Sequence, residues 1–389
     1  MTINNEHKKL NVPNLRFPEF QGEWEKHELG DICETITDFV AAGSFASLRE
    51  NVKYYQEDNY AQLVRTVDLK KDFTNNDFVY VDELAYDFLW RVQLKEPNII
   101  LPNIGANIGE KYYVSPEDLP KEKNVLGPNA ILLRSKCNDT HFVYFRLSTS
   151  SYDNEMKKLV GASGQPKFNK TDLKKVRLFM PSLKEQKKIS HFLGLLEERI
   201  ATQNKIIDKL QSLIKGIGKQ LFMDNQNWRT VKIGELLRIG NGKDYKHLCI
   251  GKIPVYGTGG QMLLVNDYLY DGESVCIGRK GTIDTPMFLK GKFWTVDTLF
   301  YTYDFKDVLP KFCYYLFLQI NWKLYNEGTG VPSLSKSTIE NIKVKIPSLE
   351  QQQKICSILD CYEHKTNNEE QILELYHSEK QYLLRQTFI

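Results

Sequence analysis

The chain has 389 residues, of which 41% are hydrophobic and 26% are charged, and its formal net charge is +3. These values fit a globular protein of two or three domains, and so small a net charge identifies no partner. The cysteines are scattered without a C-x-x-C pair, no apolar run has membrane-spanning length, and the N-terminus has no signal-peptide core, so we expect a cytoplasmic protein without a disulfide framework or a metal site.

A short arm, residues 1–24, precedes a first globular segment, residues 25–180. Short β-type runs alternate there with Gly, Pro and Asn, which indicates an α/β domain with long loops.

Residues 181–222 have few Gly and Pro and are predicted to form a long helix, with a capping-box start at Ser182 and Glu185. Apolar residues recur along it in steps of three and four, which predicts a coiled-coil seam of Ile189, Leu193, Leu196, Ile200, Ile207, Leu210, Ile214 and Ile217.

Residues 223–346 repeat the α/β pattern in a shorter form, and residues 347–389 are predicted to form a second long helix. The stretch PSLKEQKKI from Pro181 returns as PSLEQQQKI from Pro347, at an offset of 166 residues (347 − 181). A second repeated residue lies upstream of each Pro-Ser-Leu motif: Trp24 matches Trp228, at an offset of 204 (228 − 24). The seam positions of the second helix are Ile355, Leu359, Leu373, Tyr376 and Leu383.

This duplication predicts an α+β fold: two α/β domains in a pseudo-twofold tandem repeat, separated by two long helices that form an intrachain antiparallel coiled coil. Residues 197–205 and 363–371 are mostly polar, so antiparallel helices would match polar middle with polar middle and apolar end with apolar end. The alternative is an intermolecular coiled coil that only dimerises the protein.

Catalytic signature motifs are absent from the sequence, which favours recognition over chemistry. It contains no P-loop, no H-E-x-x-H, no G-x-S-x-G and no Asn/Asp-Pro-Pro-aromatic tetrapeptide of the kind that amino-methylating DNA methyltransferases use. We therefore predict no catalytic residues in this chain.

The most suggestive segment is IGRKGT, which ends at Thr282 and places Arg279 and Lys280 between glycines after a predicted strand. Such an arginine can bind a guanine edge or a phosphate, and such a lysine a phosphate. The alternative interpretation is a basic surface turn. A similar loop in the first globular segment has Asn103 and Asn107 instead, and asparagine can bind adenine.

Further candidate DNA contacts lie in a repeated [ST]-G-x-P-x-[FL]-x-K element and in two basic segments. A structural turn or a solvated charge explains these equally well or better. The residues are Lys167, Lys170, Lys336, Lys243, Lys246 and Arg65.

These features together resemble the specificity (S, HsdS) subunits of type I restriction-modification systems over essentially the whole chain. The resemblance depends on the arm NLRFPEFQGEWEKHELGDI, the two repeated elements, and the IGRKGT loop followed by GKFWTVD. It implies that the globular segments are target recognition domains, each of which reads one half of a bipartite asymmetric DNA sequence. The long helices would be spacers that set the distance between the half-sites.

The resemblance also implies partners: double-stranded DNA, two modification (methyltransferase) subunits and restriction (translocase and nuclease) subunits, with no membrane. S-adenosylmethionine, ATP and Mg would belong to those subunits, and this chain would bind no cofactor itself. Two other classes stay open: a self-contained DNA methyltransferase or nuclease with degenerate motifs, and a protein-binding coiled-coil scaffold.

Overall fold

A computed structural model describes residues 11–74, 77–104, 108–159, 168–223 and 227–389. The chain forms two compact units: unit 1 contains Met1–Thr202 and Leu373–Ile389, and unit 2 contains Gln203–Ile372. Each long helix is divided between the units, so unit 1 is built from both ends of the chain and unit 2 from one continuous stretch. The domain limits expected from the sequence stay a prediction.

Unit 1 combines short strands with short helices and contains the first part of a long one. Its strands are β1 (Glu25–Glu28), β2 (Thr35–Asp38), β3 (Ala61–Val64), β4 (Val79–Val81), β5 (Asn98–Pro102), β6 (Tyr112–Val114), β7 (Asn124–Leu126), β8 (Ala130–Arg134) and β9 (Arg177–Met180). The helices that begin in it are α1 (Leu29–Ile32), α2 (Phe45–Asn51), α3 (Thr66–Lys70), α4 (Glu83–Phe88), α5 (Thr140–Leu147), α6 (Ser150–Leu159), α7 (Lys170–Lys174) and the long α8 (Leu183–Met223), with 3₁₀ turns at Phe39–Ala42, Trp90–Val92 and Pro116–Asp118.

Unit 2 has longer strands. They are β10 (Arg229–Lys232), β11 (Arg238–Asn241), β12 (Ile250–Gly257), β13 (Gly260–Val265), β14 (Tyr270–Gly278), β15 (Met287–Thr295), β16 (Leu299–Tyr303) and β17 (Lys343–Ile346). Its helices are α9 (Ile233–Leu236), α10 (Pro310–Gln319), α11 (Lys336–Asn341) and the long α12 (Leu349–Thr387), with a 3₁₀ turn at Trp322–Tyr325.

Both units contain the same antiparallel four-stranded arrangement. The strand order is β2-β8-β5-β6 in unit 1, and β11-β16-β14-β15 occurs in unit 2, where β12 and β13 extend the sheet. The strand after each repeated Trp also pairs with the strand before the next long helix, β1 with β9 and β10 with β17. Unit 1 has in addition a separate sheet of order β4-β3-β7. The sequence repeat is thus a repeat of topology, and the predicted tandem α+β fold is confirmed.

The central strands of unit 1 are apolar along their whole length because both faces of their sheet are covered. Ile99 and Leu101 of β5 pack in one core with α5 and the long helices, whereas Ile100 between them packs in a second core with the β4-β3-β7 sheet. Alternate residues of a strand point to opposite faces, so a continuous apolar run is what two cores require.

Each unit is closed by an equivalent cluster of three aromatic rings. In unit 1, Trp24 packs edge-on against Phe142 and Phe388, with ring centroids 6.0 and 6.2 Å away. In unit 2, Trp228 contacts Phe222 at 5.7 Å and Phe312 at 6.2 Å. Phe388 directly follows α12, and Phe222 lies in the last turn of α8. Each cluster is therefore completed at the end of the long helix that begins in the other unit.

The repeated Pro-Ser-Leu-x-x-Gln motif has one structural role in both units. The Gln186 amide donates to Pro181 O at 2.9 Å and accepts from the Asp139 backbone N–H at 3.0 Å. Gln352 does the same with Pro347 O at 3.1 Å and the Leu309 N–H at 2.9 Å. A buried amide satisfied on both sides fixes the start of each long helix relative to its own globular core.

Within each unit the long helices run antiparallel and pair inside one chain. In unit 1, Glu197 pairs with Lys380 at 2.5 Å, and Arg199 donates to Tyr376 at 3.2 Å. In unit 2, the Gln203 amide donates to the Glu369 carboxylate at 2.6 Å. Gln203 and Glu369 are equivalent under the offset of 166, and two copies of one helix meet at equivalent positions where they cross antiparallel.

All seam positions are buried or half-buried. The buried ones are Ile189, Leu193, Ile200, Ile207, Leu210, Ile355, Leu359 and Leu383, and the half-buried ones are Leu196, Ile214, Ile217, Leu373 and Tyr376.

A carboxylate on each long helix holds the neighbouring globular helix. Glu197 lies 3.3 Å from His141 Nε2 on α5, and its repeat counterpart Glu363 accepts from Lys311 Nζ at 2.6 Å and from Tyr315 at 2.9 Å on α10. Burial raises the pKa of Glu197, but the hydrogen bonds from His141 and Lys380 and the Lys380 charge outweigh it, so the net pKa lies below the ordinary value of 4.5.

We expect Glu197→Gln to lower the free energy of unfolding by about 1–3 kcal/mol at pH 7, because Lys380 would lose its carboxylate partner. A carboxylate whose pKa is lower in the folded state stabilises the protein at pH values above its unfolded pKa. This stabilisation is lost as the pH falls through the folded-state pKa. The difference from wild type should therefore shrink below about pH 4.5 in urea unfolding curves. The exposed neighbour Glu198→Gln is the control, and an equal loss in both variants would contradict the assignment.

Candidate nucleic-acid interface

The loop after β14 is shaped by two glycines that flank its cations. A Cβ on Gly278 would lie 2.0 Å from the carbonyl oxygen of Thr282, and Gly281 has a φ of +95°. Neither position tolerates a side chain without rearrangement, so the tight turn requires glycine at both positions. The turn leaves the side chains of Arg279, Lys280 and Thr282 exposed at the end of the strand.

This loop meets the second segment that the sequence singled out. The Gly281 N–H donates to Pro332 O at 2.8 Å, and the Leu334 N–H donates to Arg279 O at 2.9 Å. Two motifs about 50 residues apart in sequence, IGRKGT and TGVPSLSK, therefore form one surface of unit 2.

The surface is a cleft of about 570 Å³. Its charged and polar lining includes three cations and two acidic residues, an unusual mixture for a site that binds only phosphate. The lining residues are Asn241, Arg279, Lys280, Asp297, Thr298, Phe300, Glu327, Ser333, Leu334, Ser335 and Lys336.

Two of these cations have no carboxylate partner within the described residues: Arg279 and Lys280 form no ion pair there. The Arg279 guanidinium lies 5.9 Å from the ring centroid of Phe300, and its Nη1 is 3.4 Å from Asp297 O. The ion pair of Lys336 with a described residue is a 3.8 Å contact to Glu340 one helical turn away. Exposed cations without internal partners are available to an external anion.

The acidic side of the cleft is also ordered. Hydrogen bonds from the hydroxyls of Thr338 and Ser335 lower the pKa of Glu327, so its carboxylate is charged at neutral pH. Sequence reasoning had not identified Glu327, Asp297 or Asn241. Two sequence features could have indicated a role in the cleft: Asn241 precedes a glycine, and Asp297 ends the GKFWTVD stretch.

Lys243 and Lys246 are exposed and form no ion pair with any described residue. Gly242 allows this segment to lie against β15, because a Cβ there would be 1.9 Å from Val296 O. The Lys243 N–H then donates to Thr295 O at 2.9 Å, so this basic segment begins at the border of the cleft.

Unit 1 has a backbone counterpart of the cleft. The Asn103 N–H donates to Asn129 O at 3.2 Å, and its carbonyl accepts from the Phe168 N–H at 3.3 Å, the same pairing that Arg279 makes with Thr298 and Leu334. Asn103 Oδ1 is buried and has no hydrogen-bond partner among the described residues. Asn107 and Lys167 lie outside the described residues.

Two other candidates in unit 1 have internal partners. Arg65 contacts the buried Asp68 through Nε at 3.0 Å and Nη2 at 2.7 Å, and Lys170 contacts Asp38 at 2.8 Å. This pairing favours a structural role for Arg65 and Lys170, because a DNA phosphate would have to displace a carboxylate. All the candidate DNA contacts stay predictions.

Nothing in the described residues points to a metal: no group of three or more His, Cys, Asp or Glu side chains lies close enough to hold one. Among the same residues, no helix combines the length and hydrophobicity that a membrane crossing requires.

Comparison with known proteins decides the family. A family model described as "Type I restriction modification DNA specificity domain" matches residues 21–212 and again residues 225–375. The chain belongs to this family. Proteins of this family are the non-catalytic specificity subunits of type I restriction-modification complexes, which agrees with the missing catalytic motifs.

Two curated relatives from Methanocaldococcus jannaschii are similar to this specificity subunit along its length. A proposed type I restriction enzyme specificity subunit, MjaX, is 25% identical over 94% of both chains, and the MjaVIII specificity subunit is 23% identical over 92% of this chain and 90% of that protein. The crystal structure of a type I S subunit from M. genitalium shares the fold with a TM-score of 0.62 at 16% identity, covering 97% of this chain and 99% of that one.

Proposed function

We propose that this specificity subunit reads DNA through the cleft of unit 2 and through the equivalent loop of unit 1. The observation that carries the proposal is the joining of IGRKGT and TGVPSLSK into one cleft whose exposed Arg279 and Lys280 have no carboxylate partner among the described residues. Arg279 would bind a guanine edge and Lys280 a phosphate, and Asp297 or Glu327 would accept from a cytosine amino group.

Each unit would read one half of a bipartite, asymmetric target. The backbone around Asn103 and Arg279 is equivalent, but the side chains differ in hydrogen-bonding chemistry. Unlike side chains on like loops are what two different half-sites require. The paired helices would set the distance between the half-sites.

The partners would be double-stranded DNA, two modification subunits and restriction subunits. S-adenosylmethionine, ATP and Mg would be bound by those subunits and not by this chain.

A domain exchange tests the two-reader proposal. Replacing residues 25–160 with those of a relative should change one half of the methylated sequence and leave the other half intact, as read by genome-wide mapping of methylated adenines. The matched exchange of residues 229–326 should change only the other half. If either exchange altered both halves, or neither, the assignment of one reader to each unit would fail.

A further inference from the structure

The N-terminal arm of unit 1 has a defined docking site between the two long helices. The Arg16 guanidinium binds Glu185 of α8 in a bidentate pair, Nε to Oε1 and Nη2 to Oε2, both at 2.8 Å. Phe17 packs edge-on against Phe192 with ring centroids 6.0 Å apart. The Leu15 N–H donates to Gln386 O of α12 at 2.9 Å.

A second set of contacts fixes the end of the arm. Lys188 Nζ lies 4.6 Å from the ring centroid of Phe17 and forms an ion pair with Glu19. The arm thus presents two apolar side chains, Leu15 and Phe17, and one carboxylate two residues further on.

The same site exists in unit 2, where no described segment of the chain covers it. An open apolar cleft of about 520 Å³ lies between the end of α8 and the start of α12. The offset of 166 carries the arm's contacts onto its lining: Glu185 onto Gln351, Lys188 onto Lys354, Phe192 onto Ile358, Gln386 onto Gln220 and Thr387 onto Leu221.

The difference in occupancy follows from how the two units begin. Trp24 of unit 1 is preceded by the arm, whereas the equivalent Trp228 follows α8, which ends at Met223. The duplication therefore repeated the docking site without repeating the segment that fills it.

We propose that this cleft of unit 2, the vacant arm site, binds an extended segment of a partner protein that has the chemistry of the arm. Leu221 in place of Thr387 makes the site more apolar than its counterpart, and Gln351 in place of Glu185 removes the selection for arginine. The segment has two apolar or aromatic side chains at alternate positions and a carboxylate two residues later that reaches Lys354. Lys354 pairs with Glu350 at 2.7 Å, but both side chains are largely exposed, and such a surface pair is weak enough to be replaced. The inference goes beyond DNA reading and does not depend on it.

Binding of a labelled arm peptide to the full chain tests the proposal, with the synthetic peptide VPNLRFPEFQ, residues 12–21, as the probe. We expect a dissociation constant on the order of 10–100 μM by fluorescence anisotropy. Ile358→Asp, at an exposed surface position, should weaken binding at least tenfold, whereas Leu213→Asp, at an exposed position of α8 outside the cleft lining, should leave it unchanged.

A charge exchange distinguishes binding at this site from non-specific binding. Lys354→Glu should weaken binding of the peptide, and a peptide with Glu19→Lys should bind that variant better than it binds wild type. No binding, binding insensitive to Ile358→Asp, or an equal loss of binding in Leu213→Asp would overturn the proposal. So would concentration-dependent dimerisation of the chain that Ile358→Asp abolishes, since a second copy would then be the occupant.

Discussion

Replacing Arg279 and Lys280 together by alanine is expected to weaken binding of the assembled complex to its DNA target by about 10- to 1000-fold. A bidentate arginine–guanine contact is worth about 1–3 kcal/mol of discrimination, and a lost phosphate contact weakens binding to every sequence. Both side chains are exposed and form no ion pair with a described residue, so the double substitution should leave folding intact.

The single variants should differ in kind. Arg279→Ala should relax the sequence requirement at one base of one half-site, whereas Lys280→Ala should weaken all sequences alike and reduce the slope of log affinity against log salt by about 1. Anisotropy titrations at several salt concentrations and methylation mapping measure both. Arg229→Ala is the control because its guanidinium pairs with Asp307 at 3.1 Å. A double variant that binds like wild type would remove the cleft from the DNA interface.

Lengthening both long helices by seven residues is expected to widen the gap between the half-sites by about three base pairs. Seven residues are two turns of a coiled coil and add about 10 Å while the seam is kept. The insertions belong after Gln203 in α8 and after Glu369 in α12, where the helices meet at equivalent positions.

Methylated-adenine mapping reports both the bases read and the gap, and only the gap should change. The same insertion in α8 alone is the comparison, because it offsets Gln203 from Glu369 and should lower stability rather than lengthen the gap. If the paired insertion left the gap unchanged, the helices would not determine the spacing.

The sequence was most informative where the repeat made local patterns visible twice. Steps of three and four predicted the first helix and its seam, the repeat carried that seam onto the second helix, and the repeated Pro-Ser-Leu-x-x-Gln located both starts. The structural role of the repeated glutamine could not be predicted from the sequence. Gln186 accepts from the Asp139 N–H and Gln352 from the Leu309 N–H, and each partner is more than 40 residues away.

The cleft was predictable only in parts, for the same reason. IGRKGT and TGVPSLSK were each noted, but their junction depends on Gly281 meeting Pro332, which no local pattern encodes. Asn241 and Asp297 reach the cleft through the pairing order of β11, β16 and β14. Arg65, by contrast, lies three residues from its partner Asp68, so its ion pair was open to prediction from spacing alone.

The way unit 1 is built has a consequence for the order in which the chain is completed on the ribosome. Trp24 packs against Phe388, so the core of unit 1 includes a residue that is translated after the whole of unit 2. Unit 2 is one continuous stretch, Gln203–Ile372, and all of it is synthesised before residues 373–389. We therefore expect the aromatic cluster of unit 1 to be completed only after unit 2 has been synthesised, although N-terminal domains generally fold first.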